Sequence, residues 1–228
     1  MSGFVHLNVA SAYSGHYGVT RPEAMAEAAA AMGFSALAIV DRDGLYGAVK
    51  HIGACLQLGI APIVGVNLAV FDDDQAELAR CTILAHGQNQ GHGWSTLCSI
   101  ISAAHSGRTF GSSKKLIGIK RSQLAAILKD SGGCTVLVGS NSDVGRLALE
   151  ANKNAASVAL EHWKNLFRFA GTLGVEISCH LTEPGTEQSV IHARRMIELA
   201  DSLSVPTVLT NAVRYLTPDD ALTADILD

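Results

Sequence analysis

Short apolar runs alternate along the chain with longer stretches in which apolar positions recur every three or four residues. The first pattern predicts buried strands and the second amphipathic helices. Strands are expected at "VHLNVA" (5–10), "SALAIV" (35–40), "APIVGVNLAV" (61–70), "CTILAH" (81–86), "CTVLVG" (134–139), "GVEISC" (174–179) and "PTVLT" (206–210). Between them, helices are expected after Thr20, with Thr20 as N-cap and Pro22 in the first turn. Others follow over 45–59, 94–105, near 121–129, near 143–151, over 155–171 and over 187–203, and Thr217-Pro218 opens a terminal helix. Near-continuous apolar runs joined by helices imply parallel strands covered on both faces. The stretch 70–81 leaves room for one strand to run the other way. The fold class is therefore α/β, a closed barrel in preference to an open doubly wound sheet.

Composition adds little that contradicts this. The 228 residues are 48% hydrophobic and 17% charged, which describes a chain able to bury a core. A net charge of −4 offers no whole-protein attraction to nucleic acid or anionic membrane. Five scattered cysteines without zinc-site spacing read as reduced thiols packed as small hydrophobes, which points to the cytoplasm. No apolar run reaches the ~18 residues of a membrane span, so no membrane partner is expected. The chain stops inside an amphipathic helix, "ALTADILD", and reads as a piece of a longer polypeptide.

In α/β barrels the chemistry sits on loops beyond the C-terminal ends of strands. Those positions here carry Asn8, Ala10, His16, Tyr17, Asp41, Arg42, Asp43, Asn67, Ser140, Asn141, Cys179, His180, Asn211 and Arg214. Polar groups gather there, yet a hydrolytic metal site needs several imidazoles and carboxylates. Arginines ligate no metal and carry a fixed positive charge. Asp41 and Asp43 are expected to pair with Arg42, Arg214 or backbone N–H groups of the next helix. His6 is expected to be a packed, hydrogen-bonded histidine, and His51 and His105 structural or surface residues. The Asp72-Asp73-Asp74 run reads as a solvated turn, and the basic stretch 108–121 (Arg108, Lys114, Lys115, Lys120, Arg121) as a surface loop.

Three stretches, "FVHLNVASAYSGHYG", "ALAIVDRDGLYGAVKHIGACLQLGIAPIVGV" and "PTVLTNAVRYL", together with "CTILAHGQNQGHGWSTLCSIISAAHSG", resemble the PHP (polymerase and histidinol phosphatase) domain. The form they resemble opens the bacterial DNA polymerase III alpha subunit, the DnaE-type family-C polymerase, and the Ala-rich helices with "NAVRY" and "TADILD" resemble an actinobacterial error-prone or accessory branch. The resemblance implies a distorted (β/α)7 TIM-like barrel over 1–217, with 218–228 starting a helix that leads into the polymerase. It implies metal-binding histidines where Asn8 and Ala10 stand, an aspartate at Tyr17, a histidine at Arg42, a glutamate at Asn67 and an Asp-x-His pair at Ala212 and Arg214. A cysteine or histidine is implied near Ser140, while Asp41 matches and His180 is a further match. The implied site is thus vestigial, with no catalytic residue and no metal or other cofactor in this domain. Magnesium would belong to the parent's polymerase domain. Implied partners are the rest of the polymerase chain, a proofreading exonuclease subunit, and DNA through the parent. Two other readings stay open: an active metal-dependent phosphoesterase or 3′–5′ exonuclease with altered ligands, and a module binding an anion between Arg42 and Arg214.

Overall fold

A computed structural model describes residues 3–72, 79–87, 91–106, 109–110, 114–115, 117–168 and 172–227. The chain divides into two compact units, Met1–Asn67 with Thr210–Asp228, and Leu68–Leu209.

The first unit contains α1 (Pro22–Ala31), β1 (Ala36–Arg42), α2 (Ala48–Leu58) and most of β2 (Ala61–Phe71), which runs on into the second unit. Strands β1 and β2 pair in parallel, from Ala36 opposite Ala61 to Arg42 opposite Asn67. This is the arrangement their unbroken apolar runs demand. Gly59 ends α2 in the left-handed conformation, φ 72°, which glycine reaches without a Cβ penalty. The start of α1 is one residue later than Thr20 suggested. Arg21 is the N-cap, held extended (φ −67°, ψ 147°) because it precedes Pro22, and no side chain caps it. Val9, Met25, Ala26, Ala29, Leu37, Cys55 and Ile60 form the core of this unit.

The expected first strand, 5–10, does not form as a continuous element. Val9 makes an isolated parallel bridge to Val213, and Asn8 and Ala10 bond the backbone of Val213 at 2.8 and 2.9 Å. Toward β1, His6 O accepts from Ala38 N and Val9 O from Val40 N. Three residues on one side therefore span two on the other. That extra residue breaks the ladder as a bulge does. Thr217 and Asp220 close a capping box on a short 3-10 turn, Pro218–Asp220. This leads into α8 (Ala221–Leu227), as the Thr-Pro signal predicts.

In the second unit follow β3 (Ala79–Ala85), α3 (His92–His105), β4 (Thr109–Phe110), β5 (Lys114–Lys115), β6 (Ile119–Lys120), α4 (Arg121–Ser131), β7 (Cys134–Val138), α5 (Asp143–Leu149), α6 (Lys153–Phe167), β8 (Thr172–Ile177), α7 (Val190–Ser202) and β9 (Thr207–Leu209). The end of β2 pairs in parallel with β6, Val70 opposite Ile119. Strands β3, β7, β8 and β9 are neighbours in that order. The β3–β7 pair is antiparallel and the other two pairs are parallel. The sequence leaves room for one reversed strand after 70–81, and β3 is antiparallel to β7; residues 73–78, with two of the three aspartates of the 72–74 run, lie outside the described residues.

The basic stretch is not one loop. Thr109–Phe110 and Lys114–Lys115 form a small antiparallel pair, and Arg108 lies outside the described residues. Arg121, counted from the sequence as part of a basic surface, is 5% exposed and starts α4. Trp163, Phe167, Leu160, Ile83, Leu97 and Leu124 are fully buried in this unit.

All five cysteines are free thiols. Burial pushes the Cys55 thiol up to about 11 and those of Cys81 and Cys134 up to about 12, so they stay protonated and unreactive. Among the described residues no helix is long and apolar enough to cross a membrane.

Candidate functional site

Eight of the ten predicted site residues belong to the first unit, and Ser140 and His180 to the second. Within the first unit the predicted residues are organised around Asp41, the penultimate residue of β1. Asp41 is 2% exposed. Its Oδ1 accepts from Ser11 N (2.8 Å), Ser11 Oγ (2.8 Å) and Ser14 Oγ (2.9 Å), and its Oδ2 from Gly47 N (3.0 Å). Four donors thus converge on one carboxylate, three of them on Oδ1 and one on Oδ2. Ser14 Oγ in turn accepts from Arg42 N (3.0 Å). The expectation of backbone N–H partners from the next helix holds at Gly47, the N-cap of α2. The hydrogen bonds of Asp41 go to Ser11, Ser14 and Gly47 in place of the expected Arg42 or Arg214.

Local sequence explains why the knot closes. Ser11 and Ser14 face the same carboxylate because the chain turns tightly between them, with Ser14 N donating to Ser11 O (2.8 Å). Gly18 returns so close that a Cβ there would lie 2.0 Å from Ser11 O. At Gly47 a Cβ would lie 2.6 Å from Asp41 Oδ2, so glycine is needed for its N–H to reach the carboxylate.

Tyr17, Arg42 and Arg214 also meet. The guanidinium carbon of Arg42 lies 3.4 Å from the Tyr17 ring centroid and that of Arg214 lies 4.3 Å from it. Arg214 is further held by Nε donating to Tyr17 O and Nη2 donating to Ala224 O, each 3.2 Å. The two charges repel by at least roughly 2 kcal/mol at an effective dielectric of about 20. The ring face returns ~0.5–2 kcal/mol per cation.

The other positions are backbone posts. Asn67 O accepts from Asp43 N (2.9 Å), and Asn8 O from Val213 N. Asp43 and Ala212 sit at positive φ, 58° and 44°. Ala10 is buried. In the second unit Ser140 lies where the chain folds tightly over Gly145, whose added Cβ would be 2.4 Å from Ser140 O. His180 is exposed, three residues beyond the end of β8, its backbone N–H donating to Gln188 O (2.9 Å).

The sequence profile of the PHP domain matches residues 6–180. The chain belongs to the PHP domain family. The DNA polymerase III subunit alpha of Escherichia coli (strain K12) is 33% identical to this PHP chain over 218 residues, covering 95% of it and 18% of the polymerase subunit. The same subunit from Buchnera aphidicola subsp. Schizaphis graminum is 29% identical over 222 residues, with the same two coverages. The chain therefore spans about a fifth of the length of these relatives. Among solved structures, an amidohydrolase from Chromobacterium violaceum superposes with TM-score 0.62 at 12% identity, over 99% of this chain and 97% of its own. It shares the mixed α/β PHP-type fold.

Taken by themselves, the first unit's residues do not fit a metal. Ala10 and Ala212 offer no side-chain donor, Asp41 already accepts four hydrogen bonds from the chain, and Arg42 and Arg214 bring fixed positive charge to the Tyr17 ring. Among the described residues no three His, Cys, Asp or Glu side chains come together as a metal site.

The histidines divide differently from the sequence reading. His6 is packed, as expected, but between the rings of Phe4 and Phe34, and its buried Nδ1 has no hydrogen-bond partner among the described residues. His51, 1% exposed, bonds Leu37 O through Nε2 (3.0 Å). His192, 2% exposed, accepts from Gln188 N at Nδ1 (3.2 Å) and meets Gly145 O through Nε2 (2.9 Å), the pattern of a neutral ring. Nothing in the sequence singled out His192 beyond its place in an amphipathic helix.

Burial lowers the pKa of all three below the ordinary 6.5. The unfolded chain therefore binds more protons than the folded one just below that pH. The stability these rings contribute is complete above 6.5 and is lost as pH falls toward their folded values. The melting temperature should drop between pH 7.5 and 5.5, and the double variant His51→Gln/His192→Gln should show a shallower drop. Calorimetric melts across that range check it, and an equal slope in both proteins would refute it.

Proposed function

We propose that this chain is the N-terminal PHP domain of a DNA polymerase III alpha-like, DNA-directed DNA polymerase, with a degenerate metal site and a structural, docking role. The observation that carries the reading is the Asp41 carboxylate, held by four internal donors in a wall that the family resemblance assigns to metal ligands. In the parent, magnesium would serve the polymerase domain, DNA would be held there, and the work would be cytoplasmic replication or repair synthesis. The sequence motifs that resemble an actinobacterial accessory branch favour a role beside the main replicase.

Exposed apolar side chains support docking in place of catalysis. On α2, Val49 is 75% and Leu56 65% exposed, and on α8, Leu222 and Ile226 are 70% and 76% exposed. Such side chains suit contact with the remainder of a polymerase chain or with a proofreading exonuclease subunit.

The purified chain should release nothing from single-stranded DNA ends or small phosphomonoesters when magnesium, manganese or zinc is added. No residue set in the described wall both activates water and binds the metal that would do so. Metal-dependent turnover that disappears in His180→Ala would overturn the reading in favour of an active phosphoesterase.

A further inference from the structure

Where α5 and α6 meet α7, all within the second unit, the helices leave a cavity of about 220 Å³. We propose that it binds a small apolar monocarboxylate, with the hydrocarbon part inside and the carboxylate beside Lys153 and Arg195. None of its lining residues is among the ten predicted site residues, so it stands or falls separately from the degenerate-site reading.

The floor is apolar. Ala148 of α5, Ala156 of α6 and Leu199 of α7 line it and are each at most 4% exposed. An alanine side chain stops at Cβ, so alanines on two of the three converging helices leave space that longer side chains would fill. Water is poorly held there, because a buried water needs roughly two to four polar partners. The carbonyls of Ala148 and Leu149 already accept from Arg195 Nη1, at 3.2 and 2.8 Å. An apolar cavity of about 150 Å³ admits benzene, so this one has room for a ring and one charged group.

The rim sets the charge of the ligand. Exposed Ala151, Lys153 and Glu198 and half-buried Arg195 complete the lining. Among the described residues the one carboxylate of this lining is Glu198, whose Oε1 accepts from Arg194 Nε at 2.7 Å. Positive charge is therefore in excess at the opening and favours an anionic head group. Arg195 is anchored by its two carbonyl bonds, while the exposed Lys153 has a flexible stem able to follow a carboxylate.

The walls are also preformed. Only Glu150, Ala151 and Asn152 separate α5 from α6. Ala151, at φ 59°, donates its N–H to Ala148 O (3.2 Å). Asn152 donates its N–H to Leu147 O (3.0 Å) and accepts from Ala155 N at Oδ1 (3.2 Å). A connection fixed in this way loses little freedom when a ligand enters. For so small a ligand a dissociation constant on the order of 1 mM is expected.

The test titrates benzoate, and benzamide as its neutral isostere, into the 15N-labelled full chain at pH 7.5 and constant ionic strength. Amide shifts should saturate with benzoate and centre on Ala148, Ala151, Ala156 and Leu199. The dissociation constant should lie several-fold below that of benzamide. Lys153→Met should raise the benzoate constant toward that of benzamide and leave the benzamide constant as it was. Lys129→Met, exposed on α4, should change neither. No saturable shift, shifts centred away from the cavity, or equal constants for the two compounds would each overturn the proposal. So would a Lys153→Met protein that binds benzoate as the wild type does.

Discussion

Asp41→Ala should destabilise the domain by roughly 3–5 kcal/mol, because it strands several buried donors at once. Two backbone N–H groups, of Ser11 and Gly47, lose their acceptor, and the Ser11 and Ser14 hydroxyls lose theirs. Each stranded group costs about 1–3 kcal/mol, discounted here because hydroxyls rotate toward new partners. In a chain of this size the melting temperature should fall on the order of 10 °C. Asp41→Asn should lose less, since it keeps one acceptor oxygen while turning an amide toward donors. Chemical denaturation of the three proteins measures the effect. A metal-ligand role makes the opposite forecast: the chelator-treated wild type would already be as weak as Asp41→Ala.

The second large effect should come from Arg121→Met. Its guanidinium pairs with Asp143 (Nη1 to Oδ2, 2.9 Å) and lies 4.4 Å over the Trp163 ring, whose Nε1 donates to Asp143 Oδ1 (2.9 Å). Nε also stands 3.1 Å from Asp72 Oδ1, though no hydrogen bond satisfies it, so that contact is one of charge alone. Methionine replaces the stem and leaves Asp143 paired only with an indole N–H. Breaking a fully buried pair costs about 3–5 kcal/mol, and here, with Asp143 20% exposed, the cost should fall at or just below the lower end of that range. Arg121→Lys should recover only part of it, because an ammonium neither stacks nor forks. Lys129→Met, exposed on the same helix, should change stability by less than about 0.5 kcal/mol. Equal unfolding midpoints for Arg121→Met and Lys129→Met would contradict this account of the second unit.

What the sequence disclosed follows from how local each signal is. Apolar runs place β1, β2 and β7 to within two residues, and Gly59 marks the end of α2, because burial and φ are properties of the segment itself. The bulged stretch 5–10 escaped, since its alternation is that of a strand and the extra residue shows only against β1. Arg121 escaped as well. Inside a run of lysines and arginines it carries no mark of burial, and its partners Asp143 and Trp163 lie 22 and 42 residues away. At the candidate site, the resemblance implies which positions the family uses as ligands and which residues stand there in this chain. That Tyr17, Arg42 and Arg214 meet needed geometry, because they are joined only by the fold. The pair Ser11 and Ser14 was the one local clue: serines three apart before a glycine-containing turn are suited to holding a carboxylate.

Elemental analysis of the full chain, purified without chelator, tests the degenerate-site claim most directly. The arrangement of Asp41, Arg42, Arg214 and the two alanines predicts well below one equivalent of zinc, manganese or iron per chain, and no change in melting temperature on adding EDTA. Two or more equivalents of bound metal, released by EDTA with a loss of stability, would contradict it.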